Sequence, residues 1–409
     1  MTTAKPTHAY PSDQAASGRS LGNEELSLLA EVLEQGVLTS TKGCFVRQLE
    51  EEFAALLGVP HVVACSSGSA AMHAAVAAID PEPGEEVVTT PITDMGAIAP
   101  ILSQGAIPVF ADVDPATCNV TAASIAARLG PRSRAIVATH LFGHPCDMQP
   151  VMDLAARHGL PVIEDCAQAF LPTDRGRPVG TIGDIGIFSL QQGKHATCGE
   201  GGLVTTRDPA IAHRVRLFVN KGWDYGSATP DHAFLALNYR MSELQGAVAL
   251  AQVRKLRAGV ACRQAGARQL SDRLALVPGL WLPDARESAE ATFWRYALRV
   301  DPAVHPGGAV ELGARLAARG VSAAARYIRK PAFDCALFRE QKTFGHSRWP
   351  FTLALPESLD YSPARFPGAY AGLANLVVLP WNERLTPADV DALADEIRAC
   401  LGATATSCA

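Results

Sequence analysis

Three short stretches of the sequence carry side chains that could act together on one small molecule. The first, CSSGSAAMH, places the small polar residues Ser67–Ser69 between an apolar run and a helical pattern. The second, VIEDCAQ, ends an apolar run with Asp165, and Gln168 follows it. The third, FSLQQGKH, places Lys194 shortly after another apolar run. Each stretch offers polar chemistry at the point where a buried strand would end.

Taken singly, each stretch also has a plain structural interpretation. Backbone N–H groups at the start of a helix suit a phosphate, but a serine there is often only an N-cap. An aspartate at a strand end can cap a turn, and a lysine on a loop is usually solvated. The sequence contains only seven lysines, however, and Lys194 is the one that directly follows a predicted core strand.

In combination, the three stretches match the needs of pyridoxal phosphate. A lysine amine must bond to the aldehyde of this cofactor. A carboxylate must keep the pyridine nitrogen protonated, because the protonated ring accepts electrons from the substrate. The phosphate needs its own anchor, since the bond to lysine breaks in every turnover. The sequence therefore predicts pyridoxal phosphate as cofactor and no metal, because no Cys/His cluster has zinc-binding spacing.

Alternating strand-like and helical runs must position these residues. From about residue 20 to 260, short apolar runs such as HVVAC, EEVVTTP and LPVIED are separated by helical patterns. This alternation predicts an α/β fold with a mostly parallel sheet that is covered on both faces. Ligands of such sheets bind outside the carboxyl ends of the strands, which is where the three stretches lie.

Towards the C-terminus, the regular alternation of short apolar runs and helical patterns ends. The pattern that follows predicts a second domain. ATFWRYALRV alternates with Trp294, Tyr296, Leu298 and Val300 on one side, and a final helix follows the N-cap Thr386. We expect residues 1–19 to be a flexible polar lead-in. Residues 20–265 form a large cofactor-binding domain, and residues 266–409 form a small α+β domain.

The composition excludes several classes of protein. The chain has 409 residues, a net charge of −5 and no basic tract, which argues against nucleic acid as a partner. No uninterrupted apolar stretch is long enough to cross a membrane. The ten cysteines are scattered and often lie in apolar contexts. We therefore expect reduced thiols and a cytoplasmic location.

Longer motifs around the same residues resemble a known family. CSSGSAAMHAAV, VIEDCAQAF, GTIGDIGIFSLQQGKHATCGEGGLVTT and LNYRMSELQGAVALAQV are similar to the sugar and cyclitol aminotransferases of the DegT/StrS group. The resemblance covers about residues 20 to 400. It implies the fold-type-I architecture of aspartate aminotransferase. It also implies pyridoxal-phosphate-dependent transfer of an amino group from an amino acid, glutamate or glutamine, to a keto sugar or cyclitol.

The resemblance also implies roles for individual residues. Lys194 would bond to the cofactor and later move the proton, and Asp165 would pair with the pyridine nitrogen. Asn238 would reach the phosphate in the neighbouring subunit, which implies a homodimer with shared active sites. The implied cofactor-binding residues are Ser67, Gly68, Ser69, Asp165, Gln168, Ser189, Lys194 and Asn238.

Substrate residues are predicted where the chain departs from the family pattern. Asp94, in TPITDMG, stands where the family places an aromatic ring over the cofactor. The segment RYIRKPAF could meet an anionic substrate group or form a solvated loop. The substrate candidates are Lys42, Asp94, Tyr327 and Arg329, with Thr39, Ser40, Arg326 and Lys330 as further possibilities. His140, His144 and His195 are interpreted as structural.

Alternative functions stay open at this point. EDCAQ and QQGK look more like family members that aminate cyclitols than members that act on nucleotide sugars. QQGK is also close to the QNGK loop of aminohydroxybenzoate synthase, a dehydratase and aromatase. A branch that dehydrates keto sugars usually has histidine in place of the lysine, so Lys194 argues against it. A cofactor-binding regulatory protein without turnover is the last alternative.

Overall fold

Strands and helices alternate through the first two thirds of the chain. The computed structural model describes residues 8–283 and 289–402. The elements of the first part are α1 (Asn23–Gln35), α2 (Phe45–Leu57), β1 (His61–Cys65), α3 (Gly68–Ile79), β2 (Glu86–Thr89), α4 (Met95–Ser103), β3 (Ile107–Phe110), α5 (Ala122–Ala126), β4 (Ser133–Thr139), α6 (Met148–His158), β5 (Val162–Asp165), β6 (Thr173–Asp174), β7 (Arg177–Pro178), β8 (Ile185–Ser189), β9 (Gly202–Thr206) and α7 (Pro209–Val219).

A long helix leads into the C-terminal part, where strands are fewer. The remaining elements are α8 (Glu243–Leu274), β10 (Leu280–Trp281), β11 (Ala289–Glu290), β12 (Arg295–Val300), α9 (Gly308–Ala318), β13 (Ala324–Ala325), α10 (Ala336–Arg339), α11 (Pro367–Ala374), β14 (Leu376–Pro380) and α12 (Pro387–Leu401).

A seven-stranded sheet forms the centre of the molecule. Its strand order is β1-β9-β8-β5-β4-β2-β3. All pairs are parallel except those of β9, which lies antiparallel between β1 and β8. Every residue of β2, β3, β5, β8 and β9 is buried, as expected for a sheet with covered faces. The predicted α/β fold with a mostly parallel sheet is confirmed.

The C-terminal part is built on a separate antiparallel sheet. The order of its four strands is β10-β12-β14-β13. Along β12, the predicted inward residues Tyr296, Leu298 and Val300 are fully buried. Thr386 caps α12 by accepting a hydrogen bond from the Asp389 N–H at 3.2 Å, so the predicted N-cap is confirmed. The three buried β12 residues form one apolar core with α9 and α12.

The predicted boundary between the two domains falls inside a helix. Helix α8 runs unbroken from Glu243 to Leu274, so position 265 is not a linker. Ser242 caps its start, and Gln245 completes a capping box. The division into residues 20–265 and 266–409 stays a prediction, but the two parts share this helix.

Residues 1–7 of the expected lead-in lie outside the described ranges, and residues 8–19 make specific contacts. Asp13 and Arg19 are buried, with exposed fractions of 4% and 3%. We name residues 8–18 the N-terminal strap, because they lie across the C-terminal part next to the Lys194 loop. Their polar composition suggested disorder, but their polar groups pair with partners far away in the sequence.

Within residues 8–283 and 289–402, no helix is both long enough and apolar enough to cross a bilayer.

Candidate active site

One cavity collects most of the predicted site residues. It lies where the carboxyl ends of β5 and β8 meet the start of α3, and it has a volume of about 410 Å³. The predicted residues that line it are Ser67, Gly68, Ser69, Asp94, Asp165, Gln168, Ser189, Lys194 and Tyr327. The sheet brings them together although they are spread over 260 positions between Ser67 and Tyr327.

The start of α3 forms one end of the cavity. Ser67 caps the helix by accepting a hydrogen bond from the Ala70 N–H at 3.0 Å. The next residue must be glycine, because a Cβ on Gly68 would lie 2.7 Å from Cβ of Ser189. This close approach brings the Ser189 hydroxyl next to the first helical turn. The N–H groups and the helix dipole of that turn make this end a place for an anion such as a phosphate.

Asp165 ends β5 and is held in a fixed orientation. Its carboxylate accepts a hydrogen bond from the Ala167 N–H at 3.0 Å and another from the Thr139 hydroxyl at 3.2 Å. Burial raises the pKa of Asp165, and these hydrogen bonds together with the charge of Lys194 act in the opposite direction. A cationic ligand group placed beside this carboxylate would favour its ionised form.

Lys194 lies in the turn that follows β8. Its Nζ is 4.3 Å from the centre of the Trp294 ring. Burial lowers the pKa of Lys194 to about 8, although the charges of Asp165 and Asp94 oppose this shift. The neighbouring charge of Arg295 lowers the pKa further. Near neutral pH, much more of this amine is therefore neutral, and able to attack an aldehyde, than for a solvated lysine.

Gln168 is oriented by the main chain. Its side-chain oxygen accepts a hydrogen bond from the Phe142 N–H at 2.9 Å. Gln168 is buried and lines the cavity beside Asp165. The carboxamide is thus fixed before any ligand arrives.

Asp94 has a structural task that an aromatic residue could not perform. It is the N-cap of α4, and its carboxylate accepts a hydrogen bond from the Gly96 N–H at 2.8 Å. Aromatic rings at the cavity come from Tyr327 and from Trp294, which lies just before β12. The indole of Trp294 donates a hydrogen bond to the Gly193 carbonyl oxygen at 2.7 Å, which ties it to the residue before Lys194.

Other predicted residues lie outside the cavity of their own chain. Lys42, Asn238 and Arg329 are exposed and do not line it. The same holds for Arg326 and Lys330 and for the N-terminal pair Thr39 and Ser40. Of the segment RYIRKPAF, the residue that reaches the cavity is Tyr327. The roles of these outlying residues stay predictions.

The three histidines have contacts within the protein. His140 hydrogen-bonds the Glu164 carboxylate at 3.1 Å through Nε2, and its Nδ1 accepts from the Cys146 N–H. His195 contacts the Thr292 carbonyl oxygen. Burial lowers the pKa of His144 to about 4. His140, Glu164 and Cys166 lie close enough to suggest a metal group, but both ring nitrogens of His140 already have partners.

Sequence reasoning missed part of the cavity wall. The missed residues include Gln14, Thr93, Gln191, Glu200, Trp294 and Arg295. Gln14 gives no signal in a polar N-terminal segment. Arg295 and Arg299 are the two charged residues in the strand pattern ATFWRYALRV, and the pattern alone does not distinguish the one that lines the cavity.

Comparisons with known proteins agree with this geometry. The sequence profile of the DegT/DnrJ/EryC1/StrS aminotransferase family matches residues 19–398. The chain is 35% identical over 295 residues to GDP-perosamine synthase from Caulobacter vibrioides, covering 71% of the chain and 78% of that protein. The aminotransferase TlmJ from Streptoalloteichus hindustanus superposes with a TM-score of 0.80 at 30% identity, covering 94% and 98% of the two chains. A 3-amino-5-hydroxybenzoic acid synthase superposes with a TM-score of 0.83 at 26% identity, covering 95% and 98%.

Proposed function

The chain belongs to the DegT/DnrJ/EryC1/StrS aminotransferase family, and from this premise we propose that it transfers an amino group from glutamate or glutamine to the keto group of a sugar. The observation that carries the proposal is the single cavity into which Lys194, Asp165 and the start of α3 all open. These groups match the covalent, electrostatic and phosphate-binding needs of one cofactor.

Pyridoxal phosphate is the cofactor that fits these residues. The start of α3, with Ser67, Gly68 and the Ser189 hydroxyl, would hold the phosphate. Asp165 would hold the positive charge of the pyridine nitrogen, and Gln168 would contact the ring. When bound, the cofactor supplies an aldehyde that exchanges amines and a ring that accepts electrons from the substrate.

Lys194 would carry the proton during the reaction. Its amine lies against Trp294 and within the field of Asp165, so burial and charge together set its pKa near 8. An amine with this pKa can accept the proton from the substrate Cα and return it in the later step. The backbone and Thr139 hold the Asp165 carboxylate in place, which suits it to a fixed ion pair with the ring nitrogen.

The acceptor proposed is a keto sugar. The relative from Caulobacter vibrioides is a GDP-perosamine synthase, a name that refers to a nucleotide-linked amino sugar. This supports a sugar ketone over the cyclitol ketone suggested by EDCAQ and QQGK. Among the wall residues, Asp94 and Tyr327 are the candidates to meet the sugar.

The active assembly proposed is a homodimer. Leu235 is 93% exposed, and Tyr225 and Leu237 on the same segment are also exposed apolar residues. A second copy of the chain would bury such a patch. Asn238 follows this segment and lies outside its own cavity, which supports its assignment to the phosphate of the partner's site.

A second candidate function is the aromatase reaction of an aminohydroxybenzoate synthase. It is supported by the similarity to 3-amino-5-hydroxybenzoic acid synthase and by the QQGK loop. The keto-sugar proposal has stronger support, because the GDP-perosamine synthase relative is more similar in sequence.

The test is a two-step reaction with the purified, cofactor-loaded protein. We expect L-glutamate or L-glutamine to convert the cofactor absorbance to that of the pyridoxamine form, and a keto sugar to restore it. An unchanged spectrum with every amino acid would contradict the proposal and support a regulatory protein. An aromatic product without an aminated sugar would support the second candidate.

A further inference from the structure

The N-terminal strap lies next to the active site but outside the family match. The match begins at residue 19, after the strap ends. The strap is anchored on both sides: the Pro11 carbonyl oxygen accepts a hydrogen bond from Asn382 at 2.8 Å. The Asp13 carbonyl oxygen accepts one from Gln192 at 3.1 Å, two residues before Lys194. The strap therefore lies before the matched family profile and beside the Lys194 loop.

Asp13 of the strap holds an arginine of the C-terminal part. Nη1 of Arg295 donates to the Asp13 carboxylate at 2.5 Å, and the two side chains are only 10% and 5% exposed. Arg19 also approaches this carboxylate, at 4.0 Å, and its Nη1 donates to the Lys194 carbonyl oxygen at 2.7 Å. One carboxylate thus faces two guanidinium groups. The cluster keeps an excess positive charge that an anionic ligand could balance.

Arg295 lines the cavity and has donors beyond the one that binds Asp13. Among the described residues, the Asp13 carboxylate is the hydrogen-bond partner of Arg295, which leaves Nε and Nη2 for a ligand. Arg295 lines the cavity, and a Cβ on Gly193 would lie 3.7 Å from its Nη2. The planar guanidinium matches the two oxygens of a carboxylate.

The distance from Arg295 to the reacting amine fits an amino acid. Nζ of Lys194 and Cζ of Arg295 lie 4.3 and 4.5 Å from the centre of the Trp294 ring, so they are at most about 9 Å apart. In an amino acid, the nitrogen and a guanidinium carbon bound to its carboxylate are separated by no more than about 7 Å. An amino group that lies between Nζ and Arg295, within about 7 Å of Cζ, would have its own carboxylate in reach of the guanidinium.

We propose that Arg295, positioned by Asp13 of the N-terminal strap, binds the α-carboxylate of the amino-acid donor. This inference rests on the proposed aminotransferase function, since it names the residue that recognises the donor. Every amino-acid donor carries a carboxylate on its reacting carbon, whereas the ketone of a sugar has no such neighbour. We therefore expect Arg295 to contribute to the half-reaction with the donor and not to the half-reaction with the acceptor.

The first test measures donor binding without turnover. α-Methyl-L-glutamate cannot lose a Cα proton, so it stops at binding, which is followed by cofactor absorbance and by calorimetry. We expect Arg295→Gln to weaken its binding by about 10- to 100-fold, the loss typical of a charged hydrogen-bonded pair. Arg295→Lys should recover part of this loss. Asp13→Asn should show a smaller loss, because it frees the arginine without removing it.

A matched control and a second probe isolate the carboxylate. Arg299 lies on the same strand, outside the cavity and over Trp281, so Arg299→Gln should leave the binding within about twofold. The α-amide of L-glutamate lacks the carboxylate charge. The wild-type protein should discriminate against it, and Arg295→Gln should lose this discrimination. The rate of the keto-sugar step should change little in Arg295→Gln and in Arg299→Gln.

The possible failures can be told apart. If the wild-type protein reacts with no amino acid, the proposed function fails. If it reacts, but Arg295→Gln binds α-methyl-L-glutamate as tightly as wild type or slows only the ketone step, the inference alone fails. Thermal unfolding checks that each variant folds. If Arg295→Gln does not fold, equal binding of acid and amide by the wild-type protein would still overturn the inference.

Discussion

The two walls of the active-site cavity are built in different ways. On the sheet wall, Asp165 and Lys194 each follow a buried strand, and Gly68 begins the helix after another. On the opposite wall, Arg295 and Gln14 come from segments that meet through an ion pair between residues 282 positions apart. In the proposed function, the sheet wall would hold the cofactor and the opposite wall would hold the substrate. The residues proposed for the reaction thus come from short local motifs. The recognition that we infer depends instead on pairing between residues far apart in the sequence.

The largest effect is expected at Lys194. Lys194→Ala removes the amine that bonds to the cofactor and moves the proton, so turnover should fall by about three orders of magnitude or more. Borohydride treatment of the wild-type protein should fix the cofactor on Lys194, as peptide mass spectrometry would detect. Lys221→Ala, at a lysine outside the cavity, is the control. Labelling of any other lysine would contradict the assignment of the sheet wall.

A smaller but still large effect is expected at Asp165. Asp165→Asn removes the charge that faces the pyridine nitrogen, so the amino-acid half-reaction should slow by roughly 10²- to 10⁴-fold. Because burial raises the pKa of Asp165, the ionised carboxylate costs stability in the cofactor-free protein at neutral pH. The free energy of unfolding of the cofactor-free variant at pH 7 should therefore not fall below that of wild type. A strong loss of stability with unchanged kinetics would assign Asp165 a structural role.

The pH dependence of cofactor capture tests the electrostatics of the sheet wall. Only the neutral amine of Lys194 attacks the aldehyde, and its pKa is lowered to about 8. The capture rate of the cofactor-free protein should rise about tenfold per pH unit and level off above about pH 8. Asp165 raises the pKa of Lys194, so Asp165→Asn should move this midpoint to lower pH. A midpoint near pH 10 in the wild-type protein would contradict the lowered pKa.

The smallest effect is expected at Gly68. In Gly68→Ala, the new methyl group would meet Ser189, so we expect cofactor affinity to fall by about tenfold, measured by titration of the cofactor-free protein. Equal affinity of wild type and Gly68→Ala would mean that the phosphate is not held at the start of α3.

The sequence predicted the residues of the sheet wall but not Arg295 and Gln14 of the opposite wall. Asp165, Lys194 and the start of α3 were predicted, because a strand end and the residues after it lie within one short motif. Arg295 and Gln14 were missed, because their position depends on the pairing of Asp13 with a strand far along the chain. The polar composition of the N-terminal segment suggested disorder, and it contains no apolar pattern that would reveal its partners.

The predicted substrate residues fall in different places in the structure. Tyr327 lines the cavity, whereas Lys42 and Arg329 do not. Arg329 lies on a turn whose charged side chains are exposed, and side-chain direction on such a turn cannot be read from residue order. Asn238 and Lys42 stand apart from the cavity of their own chain, so their roles depend on a partner that a single sequence does not describe.

Helix α8 has a thermodynamic consequence for the whole chain. Near its start, Gln252 bonds to Glu25 of α1 at 2.8 Å. Further along, Arg263 bonds to Glu383, before α12, at 2.8 Å. Melting either half would break this helix and leave the buried guanidinium of Arg263 without its acceptors, which is costly. Heating should therefore disrupt both halves in a single cooperative transition, with coincident signals from the tryptophans and from the backbone.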